Sequence, residues 1–328
     1  MPTDDTRPIA IVGNLNVDQV ITPIDRFPAW NEEVIVDEAR IELAGTAGYL
    51  MLAANGLGLN PYVVSTIGDD LFGDFLRREV KELGTAASGI EVVPGSATSL
   101  GMIFVGREGQ RGILTVLGAH AFMDVAVAER HDAEIVRCPE VFLCGTYLLP
   151  RFSPVAALPY VRKLRARGQT VVFDPSWDPC GWSEATLHDT MALLREVDVY
   201  LPNEEEICHL TGAPTWQDAI DRVAGTAQEI VVKRGAAGAI YVSESERIEV
   251  PALPVRAMNT VGAGDVFDMG FLYARRQRWE LQRALEFACA CAAYIVAQTG
   301  PRHYPAADEV LAFARQFGPV TREGSACS

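Results

Sequence analysis

Paired cysteines are missing from this chain. Its 328 residues include seven cysteines, at positions 138, 144, 180, 208, 289, 291 and 327, an odd number with no C-x-x-C spacing. Cys289 and Cys291 stand two apart and would not face each other on a helix. Reduced thiols in a cytoplasmic protein are expected, not a disulfide framework. The five histidines, at 120, 131, 188, 209 and 303, form no H-x-x-x-H pair, which leaves no dedicated zinc site. No G-x-S-x-G elbow exists for a hydrolase, and no G-x-G-x-x-G follows the first apolar run to cradle a nicotinamide dinucleotide. Positive charge is scarce as well. With 28 Lys and Arg against 43 Asp and Glu the net charge is −15. No basic run compensates for it, which argues against nucleic acid or anionic membrane as the main partner. The longest apolar stretch, 287–297, is too short to span a bilayer. The acidic, polar start from Met1 to Pro8 does not resemble an export signal. Internal repeats and low-complexity tracts are absent.

What is present is an ordinary globular composition, 49% hydrophobic and 22% charged, in a chain long enough for ample core. Apolar β-branched runs alternate with amphipathic segments. Strands are expected at 9–12, 62–67, 141–144, 170–174, 199–201, 230–233 and 239–242. Helices are expected at 47–56, 72–82, 155–167, 204–211, 215–227, 264–276, 279–297 and 307–316. This βαβα order predicts an α/β fold with a mostly parallel central sheet and helices on both faces. Two stretches, 18–43 and 98–117, break the rhythm and carry strand-like pieces at 33–36, 101–105 and 112–116. Together they predict a small second sheet that lids the mouth of the first, within one domain spanning 1–328. The tail 321–328 is expected to fray.

The most informative residues are Asn259-Thr260-Val261-Gly262-Ala263-Gly264-Asp265, leading into an apolar helix. A glycine-rich entry aims several backbone N–H groups at one spot at the positive end of a helix, which favours an anion. Asp265 sits in the same turn, where a pure phosphate cradle would not want it. An anion hole beside a carboxylate suits removal of a proton from a hydroxyl while charge builds on a phosphoryl group. A glycine-rich helix start with a capping acid is the plainer alternative.

Other constellations support one reading or the other. The first strand runs into Gly13-Asn14-Leu15-Asn16-Val17-Asp18, at the carboxyl edge where open α/β sheets bind ligands. A carboxylate at Asp18 could bind a vicinal diol, or form an Asx turn that caps the strand. Gly68 to Gly73 has the glycine spacing of a Walker A loop, but Asp74-Phe75 follow in place of Lys and Ser/Thr, so this stretch reads as a helix-capping turn. Asp174 ends a strand and either faces metal and phosphates or only terminates it. Asn203-Glu204-Glu205-Glu206 opens a helix after a strand, with Asn203 as N-cap. Lys233-Arg234-Gly235 to Gly238 joins two strands. Arg107 and Arg111 flank a turn between lid strands; Arg111 is a candidate for meeting a phosphate, and solvation is the simpler role.

In this order the motifs resemble the ribokinase-like, PfkB carbohydrate kinase family, over roughly 9–313. The resemblance implies an ATP- and Mg²⁺-dependent kinase acting on a primary hydroxyl of a small sugar or sugar derivative, or else a nucleoside kinase. A non-catalytic sugar-binding protein on the same fold is the alternative from another class. Asp265 would be the general base, with Gly262, Ala263 and Gly264 as the anion hole. Asp18, Asn16, Gly45 and Tyr49 would line the acceptor pocket. Lys233, Gly235, Gly238, Asn203 and Ala292 would border the nucleotide, and Glu206, through water, and Asp174 would serve the metal. Three departures stand out. Ala44 and Tyr49 occupy places where the family commonly has glycine and asparagine, and Tyr49 could stack on a ring or narrow the pocket. Asn259 replaces an aspartate that helps hold a monovalent cation in many relatives, so potassium activation does not follow. A homodimer through the lid is implied by analogy.

Overall fold

The computed structural model describes residues 7–107, 111–299 and 302–317. The expected frayed tail lies outside them, as does the expected turn at 108–110 between Arg107 and Arg111. Among the described residues thirteen strands form two sheets. The larger is built from β1 (Ile9–Val12), β4 (Pro61–Gly68), β5 (Ile90–Val93), β8 (Glu140–Cys144), β9 (Thr170–Asp174), β10 (Val199–Tyr200), β11 (Glu229–Lys233), β12 (Ala239–Ser243) and β13 (Arg247–Val250). The smaller uses β2 (Asn16–Ile24), β3 (Glu38–Ala44), β6 (Leu100–Gly106) and β7 (Arg111–Val116).

The nine strands run in the order β13-β12-β11-β10-β9-β8-β1-β4-β5. All pairs from β5 to β11 are parallel, and only β12 and β13 are antiparallel. Parallel strands joined by helical crossovers are covered on both faces, which explains their continuous apolar runs. β1 shows the result directly. Ile9 and Ile11 enter one core and Ala10 and Val12 the other, because successive side chains point to opposite faces. Strand order reverses about β1, so the crevice of such a sheet falls at the carboxyl ends of β1 and its neighbours. Those ends carry Gly13-Asn14, Asp174, Pro202-Asn203 and Lys233 on a single edge.

The smaller sheet, in the order β3-β2-β6-β7, is reached directly from β1. One strand expected in it does not form. Residues 33–36 are irregular, with Ile35 94% exposed, and the partner of β2 is Glu38–Ala44 instead. Val34-Ile35-Val36 has the right composition but meets no neighbouring strand, and composition without a partner leaves a strand's hydrogen bonds unmade. After a short irregular link at 13–15 the chain enters β2 at Asn16, with Asp18 opposite Glu42 in the ladder, so the Asx-turn reading of Asp18 is set aside. The helix expected at 215–227 stops at Val223, two residues before Gly225 turns left-handed at φ 76°. Asp70 caps the helix Leu71–Glu82 by accepting from the Gly73 N–H at 2.9 Å, the structural role expected of that turn. Among the described residues no helix is long and apolar enough to cross a membrane.

Candidate active site

Parallel strands of similar register deliver their last residues to one place. Asp174 is the final residue of β9 and Lys233 the final residue of β11, with β10 between them. Lys233 Nζ donates to Asp174 Oδ2 at 2.7 Å and to Asp268 Oδ2 at 3.0 Å. Asp174 also accepts from the Ser176 N–H at 2.8 Å, so it terminates its strand and faces the crevice at once. After β10, Asn203 caps the helix Glu204–Thr211 in a reciprocal box: its side chain accepts from the Glu206 N–H at 2.9 Å, and Glu206 accepts from the Asn203 N–H at 2.8 Å. The capping role and the crevice position hold together.

The helix Ala263–Arg276 closes this cluster. It starts from Gly262 at φ 70°, a left-handed conformation that costs glycine little. A Cβ there would also press on the Tyr49 ring at 3.0 Å and on Arg302 Nη1 at 3.3 Å. The Ala263 N–H turns back to the Thr260 carbonyl at 3.3 Å. Of the expected anion-hole residues Gly262, Ala263 and Gly264, Ala263 therefore has its amide engaged; the amides of Gly264 and Asp265 follow in the same turn, that of Asp265 also meeting its own carboxylate. Asn259 Oδ1 accepts from the Val261 N–H at 3.0 Å and braces the turn. Asp265 lies in the first helical turn, and Asp268 follows one turn later on the same face.

Four carboxylates thus share the field of one ammonium, and the proton affinities of Asp265, Glu206 and Asp268 show the crowding. Desolvation first, then Asp174 and Glu206, against the opposing pull of Lys233, push Asp265 up to about 8. Burial and Asp174 raise Glu206 to about 7. Burial also pushes Asp268 well above the usual carboxylate range, with Asp174 and Asp265 adding to the shift against Lys233. Burial works against the Lys233 charge, but Asp174, Asp268 and Glu206 outweigh it and hold the ammonium above its ordinary value.

Beside the turn, at the start of β2, lies a second buried group. Asp18 accepts from Asn16 Nδ2 at 2.8 Å and from the Tyr49 hydroxyl at 3.2 Å. Burial raises it to about 6, against both hydrogen bonds. Tyr49 is only 6% exposed, with its ring against Gly262 and beneath the Arg302 guanidinium, whose Cζ lies 5.9 Å from the ring centroid. Buried in this way, the ring has no free face for stacking on a base. Gly45, at φ 85°, abuts the Asn14 carbonyl and Asn16 Oδ1, where a Cβ would lie 2.3 and 2.5 Å away, so backbone packing already requires glycine.

Other sequence candidates fall at the margins. Gly235 and Gly238 form the turn after β11, and Ala292 is partly buried against the core on the helix Leu281–Val296. Arg111 is exposed on β7 and lines a separate cavity of about 500 Å³ with Arg26, Phe27, Phe104 and Arg107. Two residues at the cluster were not singled out from sequence. Asp268 had a signal, its three-residue spacing from Asp265. Arg302 had none.

With this geometry in place, comparison with known proteins gives the same answer. The family model described as pfkB family carbohydrate kinase matches residues 8–307. A Salmonella typhi deoxyribokinase is 26% identical over 310 residues, covering 92% of this chain and 96% of that protein. An ATP-dependent ribose-1-phosphate kinase of Halopiger xanaduensis is 28% identical over 304 residues, at 92% and 96% coverage. A solved E. coli structure, provisionally named ribokinase II and in complex with ATP and Mg²⁺, superposes with a TM-score of 0.81 at 24% identity, covering 94% of this chain and 99% of that one. The fold is therefore ribokinase-like. The chain belongs to the pfkB family of carbohydrate kinases.

Proposed function

We propose that the protein transfers the terminal phosphoryl group of ATP to a primary hydroxyl of a small sugar or sugar derivative. The observation that carries this reading is the union of base and anion site in one turn. Asp265 stands in the first turn of a helix, where the leading N–H groups precede any intrahelical acceptor. Asp265 takes the proton from the attacking hydroxyl, and those amides take the charge that gathers on the phosphoryl oxygens. Phosphoryl transfer asks the protein mainly for position and electrostatics, so a short turn is enough. Asp18, held by Asn16 and Tyr49, accepts hydroxyls of the acceptor and sets which oxygen meets Asp265.

Magnesium fits the donor set. Asp174, Glu206 and Asp265 are carboxylates with too little countercharge, as their raised affinity for protons indicates for Glu206 and Asp265. Among the described residues no group of three or more His, Cys, Asp or Glu forms a ready protein cage. That suits an ion held largely by phosphate and water, with Glu206 reaching it through water and Asp174 beside it. Such an ion would neutralise charge on the donor phosphates. The names of the relatives point to a pentose or a phosphorylated pentose as acceptor, and the buried Tyr49 ring, with no free face for a base, favours these over a nucleoside. A homodimer through the smaller sheet belongs to the same reading, supported by the exposed Ile41, Ile113, Leu114 and Val116 on its strands.

The test is an ATP-consumption screen over deoxyribose, ribose, ribose 1-phosphate, fructose and nucleosides, with the product's phosphate located by ³¹P NMR. Turnover is expected with a pentose-type acceptor. A protein that binds such a sugar by calorimetry yet consumes no ATP with any of them would remove the reading.

A further inference from the structure

We infer that Arg302 is a phosphate-contacting residue of this site, reaching the oxyanion that occupies the turn at Gly262–Asp265. The inference deepens the phosphotransfer reading and takes its reaction from it; the contact itself rests on geometry.

The turn has a cation on each side. Lys233 Nζ lies 3.5 Å from where a Cβ on Gly264 would be, and Arg302 Nη1 lies 3.3 Å from where one on Gly262 would be. Lys233 is already answered by Asp174 and Asp268. Arg302 is not. Its Nη1 and Nη2 are shielded from solvent and make no hydrogen bond of good geometry among the described residues; the Tyr304 hydroxyl is close enough to interact with the guanidinium, but it is a neutral group and leaves the charge unanswered. Tyr49 and Tyr304 wall it in, and each feels its positive charge. Asp18 and Glu42 act on Tyr49, and Asp265 and Glu42 on Tyr304, so carboxylates surround this pocket without closing on the guanidinium.

A ring beneath a guanidinium gives a favourable but modest contact. It does nothing for the N–H groups in the plane of the fork, and a buried charged donor without an acceptor is strongly unfavourable. The missing group is therefore an anion, at a spot also addressed by the Gly264 and Asp265 amides. A tetrahedral phosphate oxyanion meets both demands, since guanidinium pairs with phosphate through two parallel hydrogen bonds while backbone amides take the other oxygens. Two sources share this chemistry: the phosphoryl group in transit from the donor, and a phosphate carried by the acceptor.

Calorimetry with inorganic phosphate on the ADP-bound protein needs neither acceptor nor turnover. Arg302→Gln is expected to weaken phosphate by roughly tenfold or more, the worth of one charge-assisted pair, and to leave ADP affinity unchanged. Arg302→Lys should weaken it less, and it replaces the glutamine variant if that one fails to fold. Equal phosphate affinity in wild type and variant overturns the inference, as does a wild type that binds no phosphate. Turnover then separates the sources. A kcat loss shared by neutral and phosphorylated pentoses assigns the contact to the transferring group. A KM increase confined to a phosphorylated acceptor assigns it to that acceptor's phosphate. If no acceptor is phosphorylated while phosphate still binds through Arg302, the reaction is misread and the contact stands.

Discussion

The two sides of the Gly262 turn carry the same sign of charge and hold it in opposite ways. Lys233 is locked between Asp174 and Asp268, at 2.7 and 3.0 Å, with its side chain 11% exposed. Arg302 rests on the Tyr49 ring with its terminal nitrogens unmatched. The difference shows that in an acidic protein a basic residue at a site is not automatically available to a ligand. Lys233 belongs to the scaffold: it lets two carboxylates from different elements share one edge of the sheet. Asp265 stands in the same turn, and Lys233 acts on it directly.

Asp265 therefore gives the largest expected effect. Asp265→Asn should lower kcat by roughly 10²- to 10⁴-fold, the span of general acid–base catalysis, while Mg·ATP still binds. Near-normal kcat would mean that the turn between the cations is not where the proton moves. The pH dependence follows from the same residue. A base with its pKa near 8 in the free protein must be ionised to act, so kcat/KM should rise with pH through that region. Stability should move the other way. Asp265 and Glu206 titrate near 8 and 7 when folded, against ordinary values of 3.8 and 4.5. Between those limits the folded chain holds protons that the unfolded chain has released, so Tm falls as pH rises. Asp265→Asn removes part of that penalty. Its Tm should exceed that of wild type most clearly at the alkaline end, and a constant difference across pH would show that Asp265 is not strained by its neighbours.

The next effect separates the cations by stability alone. Lys233→Met strands Asp174 and Asp268 in a buried site, and removing one partner of a buried ion pair costs about 3–5 kcal/mol. The loss should shrink at low pH, as Asp268, already raised by burial, takes up a proton. Arg302→Gln strands no carboxylate and relieves a buried charge with no anionic partner among the described residues, so Tm should stay level or rise. Thermal unfolding of both variants at neutral pH decides the matter. Equal losses would erase the distinction between a scaffold cation and an available one.

Much of this arrangement was legible in the chain because local chemistry and global fold agree there. β9 begins and ends where its β-branched run does, at Thr170 and Asp174, and the helix Glu204–Thr211 lies between its Asn203 cap and Gly212. The turn at Gly262 announces itself through a glycine whose left-handed φ of 70° disfavours any side chain. What stayed hidden depends on partners distant in sequence. Val34-Ile35-Val36 reads as a strand until the ladder pairs β2 with 38–44 instead. Lys233 reads as a free cation until Asp174, 59 residues away, is found against it. Arg302 is a single arginine in a loop, and only the fold places it over Tyr49 from 253 positions away, by subtraction of those numbers. Periodicity reports what one segment does; compensation of charge is a property of several segments at once.

The smallest expected effect probes the contact on which Arg302 rests. Tyr49→Phe keeps the ring beneath the guanidinium and deletes only the hydroxyl that donates to Asp18 at 3.2 Å. One hydrogen bond to a buried carboxylate contributes about 1–3 kcal/mol, with the upper part applying when the acceptor is ionised. Asp18 is already raised to about 6 by burial, and the Tyr49 hydroxyl is the first of the contacts holding it down, so its pKa should climb further in the variant. Acceptor KM should rise severalfold at pH 6 and less at pH 8, where Asp18 is ionised in both proteins, with kcat and phosphate affinity little changed. That pattern would separate the two sides of the tyrosine, its hydroxyl serving the acceptor through Asp18 and its ring supporting Arg302. A parallel loss of phosphate affinity would show instead that both residues answer to one contact, and that the acceptor pocket and the anion site move as a unit.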